Sequence, residues 1–253
     1  MPISFMNKPG LVIYLTAGDP DLATTREIAL AAIDNGADVI ELGVPFSDPL
    51  ADGPVIQRAS ERAVAHGVRL TDVLGVAREL RAARPNCGIV IFSYLNPVIR
   101  MGMKVFCAAA KDAGADGVLL TDMIVEEAEE YLAEMKANDL GPVFLAAPTS
   151  PDARLKAIAA ASKGFVYAIS RVGITGTRDA IASDAPDLVA RLKKHTQLPI
   201  AVGFGISNAE HVRTVGQFAD AAVIGSALVA LIEKTPAAEA PAAVGRFIAE
   251  LRK

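Results

Sequence analysis

Short apolar runs that alternate with segments of helical periodicity predict an α/β protein with the (β/α)8 TIM-barrel fold. The runs are continuously apolar, which is typical of parallel strands that are covered on both faces. About eight such units fill the 253 residues, whereas a doubly wound sheet usually needs fewer strands. We therefore expect one barrel domain, residues 1–253, with parallel strands, an outer ring of helices and some extra helices.

Eight runs rich in β-forming residues are the strand candidates. They occupy residues 11–16, 38–42, 88–93, 117–121, 142–146, 164–169, 199–203 and 221–224. Gly36 and Gly114 suit the left-handed position that commonly follows the end of a helix. Asp38 and Asp116 follow these glycines at the start of a strand, and Asp220 holds the equivalent position in a third, related segment. This echo supports a repeated βα unit.

The polarity of a barrel directs attention to the loops that follow its strands, because barrel active sites lie at the C-terminal ends of the strands. The loops after the second and sixth strands are the long ones. The loop after the second strand has room for an extra helix at 53–65 before the connecting helix at 70–83. These loops are where we expect the functional residues.

Charge and cysteine content restrict the partners and the compartment. The net charge is -4 with no basic run, so nucleic acid and anionic membrane surfaces are poor candidate partners. There is no signal-peptide pattern and no apolar run long enough to span a membrane. Cys87 and Cys107 lie in apolar surroundings without metal-type spacing, which is typical of reduced core residues. We expect a cytoplasmic protein.

Three carboxylates stand in the loop after the second strand, ELGVPFSDPLADGPVIQ, which three prolines stiffen. Glu41 closes the apolar run, while Asp48 and Asp52 follow in the loop. Two carboxyl groups in different surroundings can take different roles, one protonated and the other ionised. Glu41 could also be a structural carboxylate, and the two aspartates could cap a helix or be solvated. The chemistry of the residues does not choose between Asp48 and Asp52.

The histidines argue against two common chemistries. His66, His195 and His211 fall in predicted helices or helix ends, so a histidine-ligated metal or a Ser-His triad is not expected. Carboxylates remain for proton transfer. Asp19 also follows a strand, but it lies in Gly-Asp-Pro, a turn signal, and we expect it to be structural.

Glycine-rich loops after the seventh and eighth strands, 203–207 and 224–227, indicate a phosphate site. Each joins a strand end to a helix start, where open N–H groups and the helix dipole favour an anion, at the usual phosphate position of such barrels. The alternative is that these glycines only make tight turns. The loop at 173–177 is punctuated by glycine and could close as a lid, or it could be a mobile surface loop.

Five apolar or aromatic residues near strand ends could line a pocket for a flat hydrophobic group. They are Tyr14, Phe92, Tyr94, Leu119 and Tyr167. Ordinary barrel packing is the stronger alternative for Phe92 and Leu119 than for the tyrosines, whose hydroxyl groups need partners.

The motifs YLTAGDP, ELGVPFSDPLADGPVIQ, FSYLNP, SRVGITGT, GFGIS and IGSALV resemble the tryptophan synthase α-subunit family over nearly the whole chain. The resemblance implies retro-aldol cleavage of indole-3-glycerol phosphate to indole and glyceraldehyde 3-phosphate, without a cofactor. Glu41 then matches the mobile acid/base carboxylate, and Asp52 the one that polarises the indole N–H. Tyr167 matches the residue that steadies the catalytic groups, and Thr175 the lid residue that contacts Asp52 on closure.

The same resemblance assigns the substrate site. The residues that match the family's phosphate site are Gly176, Phe204, Gly205, Gly225 and Ser226. The residues that match the family's indole pocket are Phe92, Tyr94 and Leu119, and Tyr14 occupies a position where the family usually has an aromatic residue. General acid–base catalysis by two positioned carboxylates suits this bond cleavage, since it needs a proton on C3 and the removal of a hydroxyl proton.

The resemblance also implies a partner, the β subunit of an α–β–β–α complex, which holds pyridoxal phosphate and receives the indole. Asp48 is then expected at the partner face. This sequence differs from the family's pattern at two places that bear on this assembly. Only about ten residues precede Leu11, where the family generally has a leading helix, and Met123-Ile124 stands in a loop that contains a proline in the family.

These departures leave a stand-alone lyase as an alternative. A mainly regulatory barrel that activates its partner is the other alternative, although it would need neither Glu41 nor Asp52. Isomerase or epimerase barrels share the phosphate loops but would need different acid–base residues.

Overall fold

The computed structural model describes residues 3–169, 184–203 and 205–253. Within these ranges the strands are β1 Gly10–Thr16, β2 Val39–Gly43, β3 Gly88–Ser93, β4 Gly117–Leu120, β5 Gly141–Val143, β6 Leu145–Ala146, β7 Val166–Ile169, β8 Ile200–Gly203 and β9 Ala221–Ile224. The helices are α1 Leu22–Asp34, α2 Pro54–Ala65, α3 Leu70–Ala83, α4 Leu95–Met101, α5 Met103–Asp112, α6 Glu129–Ala137, α7 Asp152–Ala161, α8 Ala185–Lys193, α9 Ala209–Val215, α10 Ser226–Lys234 and α11 Ala240–Leu251. Single 3-10 turns cover Val125–Glu127 and Ala237–Glu239.

The strands form one parallel sheet in the order β5-β4-β3-β2-β1-β9-β8-β7-β6. Its two edges, β5 and β6, are consecutive pieces of the single strand predicted at 142–146, interrupted at Phe144. β5 pairs with β4 and β6 pairs with β7, so this segment joins the two edges. The predicted barrel is therefore confirmed, and its fifth strand is split because the pairing passes from one neighbour to the other at Phe144.

Alternate residues of each strand enter two separate cores. In β1, Leu11, Ile13 and Leu15 pack towards the helices, whereas Val12 packs inside the barrel with Val39 of β2. Burial on both faces is the physical reason that the strands are continuously apolar in sequence.

Ile3 and Phe5 belong to the core inside the barrel. Ile3 is buried there, and the ring of Phe5 lies 6.0 Å from that of Phe165, which precedes β7. Because these residues precede β1, they fill the end of the barrel where the strands begin, opposite the C-terminal strand ends.

The three aspartates of the repeated echo share one structural role. Each side-chain carboxylate accepts a hydrogen bond from a backbone N–H: Asp38 from Leu11 (2.8 Å), Asp116 from Ile89 (2.9 Å) and Asp220 from Ile200 (2.9 Å). Each of these aspartates lies just before one strand and binds the start of the neighbouring strand: β1, β3 and β8 respectively.

Glycine conformation sets several boundaries. Gly36 and Gly114 have φ of 113° and 82°, as the left-handed position after a helix requires. Gly164 has φ of 92°, and β7 begins at Val166, two residues later than predicted. Among the described helices, none combines the length and apolar character needed to cross a bilayer.

Candidate active site

Glu41 is completely buried in the middle of β2, two residues before the strand ends. Val39 packs inside the barrel, and strand alternation directs the side chain of Glu41 to the same interior. Within the described part of the chain, neither carboxyl oxygen has a hydrogen-bond partner, so the structural alternative finds no support there. Burial raises the pKa of Glu41 to about 8, which leaves the carboxyl group protonated at neutral pH.

Asp52 lies in the loop between β2 and α2 and is only partly exposed. The hydroxyl of Tyr94 donates a 2.9 Å hydrogen bond to Asp52 Oδ2 and accepts one of 2.9 Å from the backbone N–H of Ala51. Burial raises the pKa of Asp52 to about 6, and the bond from Tyr94 opposes part of that rise. Asp48 is exposed and accepts a bond from Ser47, so the structure separates two aspartates that residue chemistry did not.

The charges of these two carboxyl groups affect the pKa values of two tyrosines, Tyr14 and Tyr167. Desolvation raises the pKa of Tyr167, and the charges of Glu41 and Asp52 raise it further. For Tyr14, the charge of Asp52 is the next largest cause after burial. Such charge effects require the groups to lie near one another, and Tyr14 is paired with Glu41 in the register of β1 and β2. Side chains from β1, β2, β7 and the loop after β2 therefore meet in one region.

The residues predicted to line the indole pocket lie beside this region and in the core inside the barrel. Tyr14 and Phe92 make an edge-to-face contact with ring centroids 5.0 Å apart. Leu119 is fully buried within the core inside the barrel. The ring of Tyr94 faces that of Phe46 at 5.3 Å, while its hydroxyl reaches Asp52.

The loops predicted to hold phosphate lie after β8 and β9. Gly205 has φ of 63°, and apart from this glycine and its two chain neighbours no atom of the described residues lies within 4 Å of where a Cβ would be. Gly225 precedes Ser226, the first residue of α10. The start of α10 has no side-chain cap, so its first N–H groups are not bonded by a capping side chain. A Cβ on Gly225 would lie 3.7 Å from Tyr14, which places this helix start beside the aromatic pocket.

Three of the predicted site residues, Thr175, Gly176 and Phe204, lie outside the described residues. His66 caps the end of α2, His211 lies in α9 and His195 follows α8, in agreement with the predicted positions. Among the described residues, no group of three or more histidine, cysteine, aspartate and glutamate side chains is arranged to hold a metal ion.

Two contacts of the site escaped prediction. Tyr94 was assigned only to the pocket wall, yet it also holds Asp52, which is 42 residues away in sequence. Asp19 was expected to be structural, and it is buried in an ion pair with Arg62, 43 residues away. No local sequence pattern signals either pair, because each is created by the closure of the barrel.

A parallel barrel that holds two carboxyl groups of raised pKa is typical of barrel enzymes that use acid–base catalysis. The tryptophan synthase alpha chain family matches residues 3–251 of this sequence. The chain is 47% identical over 251 residues to the tryptophan synthase alpha chain of Cupriavidus taiwanensis, covering 99% of this chain and 95% of that one. It is 47% identical over 250 residues to that of Burkholderia pseudomallei, covering 99% and 92%.

Solved structures give the same result. A chain of the tryptophan synthase a2b2 complex of Pyrococcus furiosus superposes with a TM-score of 0.91 at 41% identity, covering 97% of this chain and 98% of that one. A chain of Mycobacterium tuberculosis tryptophan synthase superposes with a TM-score of 0.89 at 36% identity, covering 96% and 91%. The chain belongs to the tryptophan synthase alpha chain family.

Proposed function

We propose that this chain, as one barrel domain of residues 1–253, cleaves indole-3-glycerol phosphate to indole and glyceraldehyde 3-phosphate. This is the alpha reaction of tryptophan biosynthesis and makes the chain a carbon–carbon lyase. Membership of the family over nearly the whole sequence supports the proposal. The observation that carries it is the pair of carboxyl groups, Glu41 with a pKa of about 8 and Asp52 with a pKa of about 6.

Glu41 is suited to move both protons of the reaction. Its neutral carboxyl group donates a proton to C3 of the indole ring, which converts the ring to its cationic indolenine form. The carboxylate left behind is desolvated and therefore a strong base. It removes the proton from the adjacent glycerol hydroxyl as the carbon–carbon bond breaks and its electron pair returns to the ring, which restores neutral Glu41.

Asp52 is suited to stabilise the cationic ring. Above about pH 6 it is ionised and can accept a hydrogen bond from the indole N–H, where positive charge develops. The bond from Tyr94 orients Asp52 for this purpose. Tyr167, close to both carboxyl groups, steadies them in this proposal.

The remaining assignments follow the resemblance to the family. Tyr14, Phe92, Tyr94 and Leu119 contact the indole ring, while Gly205, Gly225 and Ser226 bind the phosphate with Gly176 and Phe204. Thr175 contacts Asp52 when the lid closes. No cofactor is needed in this chain, and pyridoxal phosphate belongs to the partner.

The proposed partner is a tryptophan synthase β subunit in an α–β–β–α complex in the cytoplasm. The similar Pyrococcus furiosus chain comes from an a2b2 complex, which supports this assembly. Three of the large apolar side chains that this chain exposes, Leu50, Ile99 and Ile124, lie in segments that follow β2, β3 and β4. These segments lie at the C-terminal strand ends, so the proposed partner face adjoins the active site.

The test is an assay of indole release from indole-3-glycerol phosphate by the purified chain, with and without the β subunit. Glu41→Gln is expected to lower kcat by roughly a hundredfold to ten-thousandfold, because the amide can neither donate nor accept the proton. Binding of inorganic phosphate should persist in this variant. Turnover close to that of the unaltered chain would refute the catalytic role of Glu41. Full turnover without the β subunit would support the stand-alone lyase.

A further inference from the structure

Helix α2 lies between the two halves of the proposed active site. Asp52 is two residues before its first residue, Pro54, and Gln57 Nε2 in its first turn donates a 2.8 Å hydrogen bond to the carbonyl of Asp52. On the other side, Ile56 would lie 3.8 Å from a Cβ on Gly225, where α10 begins. A displacement of α2 would therefore move Asp52 relative to the proposed phosphate site.

Arg62 in the last turn of α2 fixes the position of the helix. Its Nε and Nη2 donate to Asp19 Oδ1 and Oδ2, both at 2.8 Å, and its Nη1 donates to Glu233 Oε1 at 2.8 Å. Arg58, one turn earlier, donates two further bonds of 2.8 Å to Glu233. Asp19 belongs to the loop after β1 and Glu233 to the last turn of α10. One guanidinium group thus joins three segments.

This network is stronger than an ordinary surface ion pair. Exposed pairs usually contribute about 1 kcal/mol or less, because water screens them and the side chains lose entropy. Here the side chain of Asp19 is only 4% exposed and both of its oxygens are bonded to Arg62. Bidentate geometry of this kind restricts orientation as well as distance. Without Arg62, a buried carboxylate would lose its charge partner and α2 would lose its anchor.

We propose that Arg62 is a positioning residue for the cleavage reaction, which by tying α2 to Asp19 and Glu233 sets the place of Asp52 relative to the start of α10. The inference rests on the role proposed above for Asp52. Arg62 lies ten residues beyond Asp52 along the chain and does not touch the substrate in this account. It acts because a helix moves as a rigid rod, so that a shift at one end displaces the other.

The experiment compares Arg62→Gln, Asp52→Asn and the double variant, assayed with saturating β subunit. Arg62→Gln should lower kcat by roughly tenfold to a hundredfold, the size of effect that a displacement of about 1 Å produces in an active site. KM should change by less than about threefold, since the phosphate loops keep their own residues. In the Asp52→Asn background, removal of Arg62 should change kcat by less than about twofold, because the group through which it acts is already lost.

Arg81→Gln is the matched control. Arg81 pairs with the largely buried Asp116 near the strand starts, away from the proposed site, and its side chain is 23% exposed compared with 34% for Arg62. This variant should lower the thermal midpoint to a similar extent while kcat stays within about twofold. Asp19→Asn, which breaks the same bridge from its other side, should reproduce the kcat loss of Arg62→Gln and covers the case in which that variant folds poorly.

The outcomes are distinct. An equal kcat loss from Arg62→Gln in both backgrounds would mean that Arg62 only supports the fold, which would overturn this inference and leave the role of Asp52 intact. Unchanged kcat in Arg62→Gln would overturn it as well. Full activity of Asp52→Asn alone would refute the proposed role of Asp52, and the inference would fall with it.

Discussion

Glu41 and Asp52 have the same functional group in two environments. Glu41 has no hydrogen-bond partner among the described residues, so burial alone raises its pKa, to about 8. Asp52 is bonded to Tyr94, which offsets part of the effect of burial and leaves its pKa at about 6. Between these two values one group is a proton donor and the other an anion, which is the combination that the proposed reaction needs.

This difference predicts a bell-shaped pH dependence of kcat/KM, a quantity that reports groups of the free enzyme. Activity should rise as Asp52 ionises near pH 6 and fall as Glu41 loses its proton near pH 8. Asp52→Asn should remove the acidic limb from the remaining activity and keep the basic one. A profile that rises continuously from pH 5 to pH 9 would contradict the assignment of Glu41 as the initial acid.

Tyr94→Phe tests the bond that holds Asp52. Loss of the hydroxyl removes an interaction that lowers the pKa of Asp52, so the acidic limb should move to higher pH. kcat should fall by roughly tenfold, because one hydrogen bond to a charged group contributes about 1.5 kcal/mol or more. Tyr131→Phe is the control, since the hydroxyl of Tyr131 bonds Val118 O in the core. An unshifted limb would show that Tyr94 is only a pocket wall.

At the scale of elements, the three aspartates of the repeated sequence segments have the same structural role. The carboxylates of Asp38, Asp116 and Asp220 each accept a hydrogen bond from a backbone N–H near the start of an adjacent strand. Buried backbone donors need such partners, because leaving one unpaired costs about 1–3 kcal/mol. The repeated aspartate that indicated a βα repeat in the sequence therefore binds neighbouring strands together at their starts.

Asp220→Ala should lower the free energy of unfolding by about 1–3 kcal/mol, because the N–H of Ile200 loses its acceptor. Urea denaturation measures the change, and kcat should be unaffected since Asp220 lies at the opposite end of the strand from the site. Asp112→Ala, which removes a 76%-exposed partner of Arg78, should cost less than about 0.5 kcal/mol. Equal losses in the two variants would contradict the role given to Asp220.

At the scale of the molecule, the two ends of the barrel have different surfaces. Ile3 and Phe5 fill the end where the strands begin, near the exposed side chain of Met6. At the other end, Leu50 is 92% exposed in the loop that also carries Asp52. We expect this exposed apolar side chain to lie at the proposed interface with the β subunit.

Leu50→Asp should weaken binding of the β subunit at least about tenfold, because a charge would then be buried at the proposed interface. Isothermal titration calorimetry with the β subunit measures the change. Met6→Asp is the control: Met6 is 82% exposed at the opposite end and its replacement should leave affinity unchanged. The same affinity for Leu50→Asp and the unaltered chain would exclude this loop from the interface.

The fold class, the strand positions and the candidate carboxylates were predictable from the sequence, because each depends on neighbouring residues. Apolar runs reflect burial on both faces of a strand, and Gly36 marks a helix end because few other residues adopt its φ. The division of the fifth strand was missed, since it depends on how the barrel closes. The start of β7 was predicted two residues too early, because Gly164 has a left-handed φ of 92°.

What the sequence by itself determined was the barrel and the set of groups near its strand ends. Only the tertiary structure decided which of them meet: Tyr94 with Asp52, Arg62 with Asp19 and Glu233, and Glu41 with no described hydrogen-bond partner. The physical reason is that a pKa or an ion pair depends on distance and desolvation. Both are set by segments that lie far apart in the chain and become neighbours only when the barrel closes.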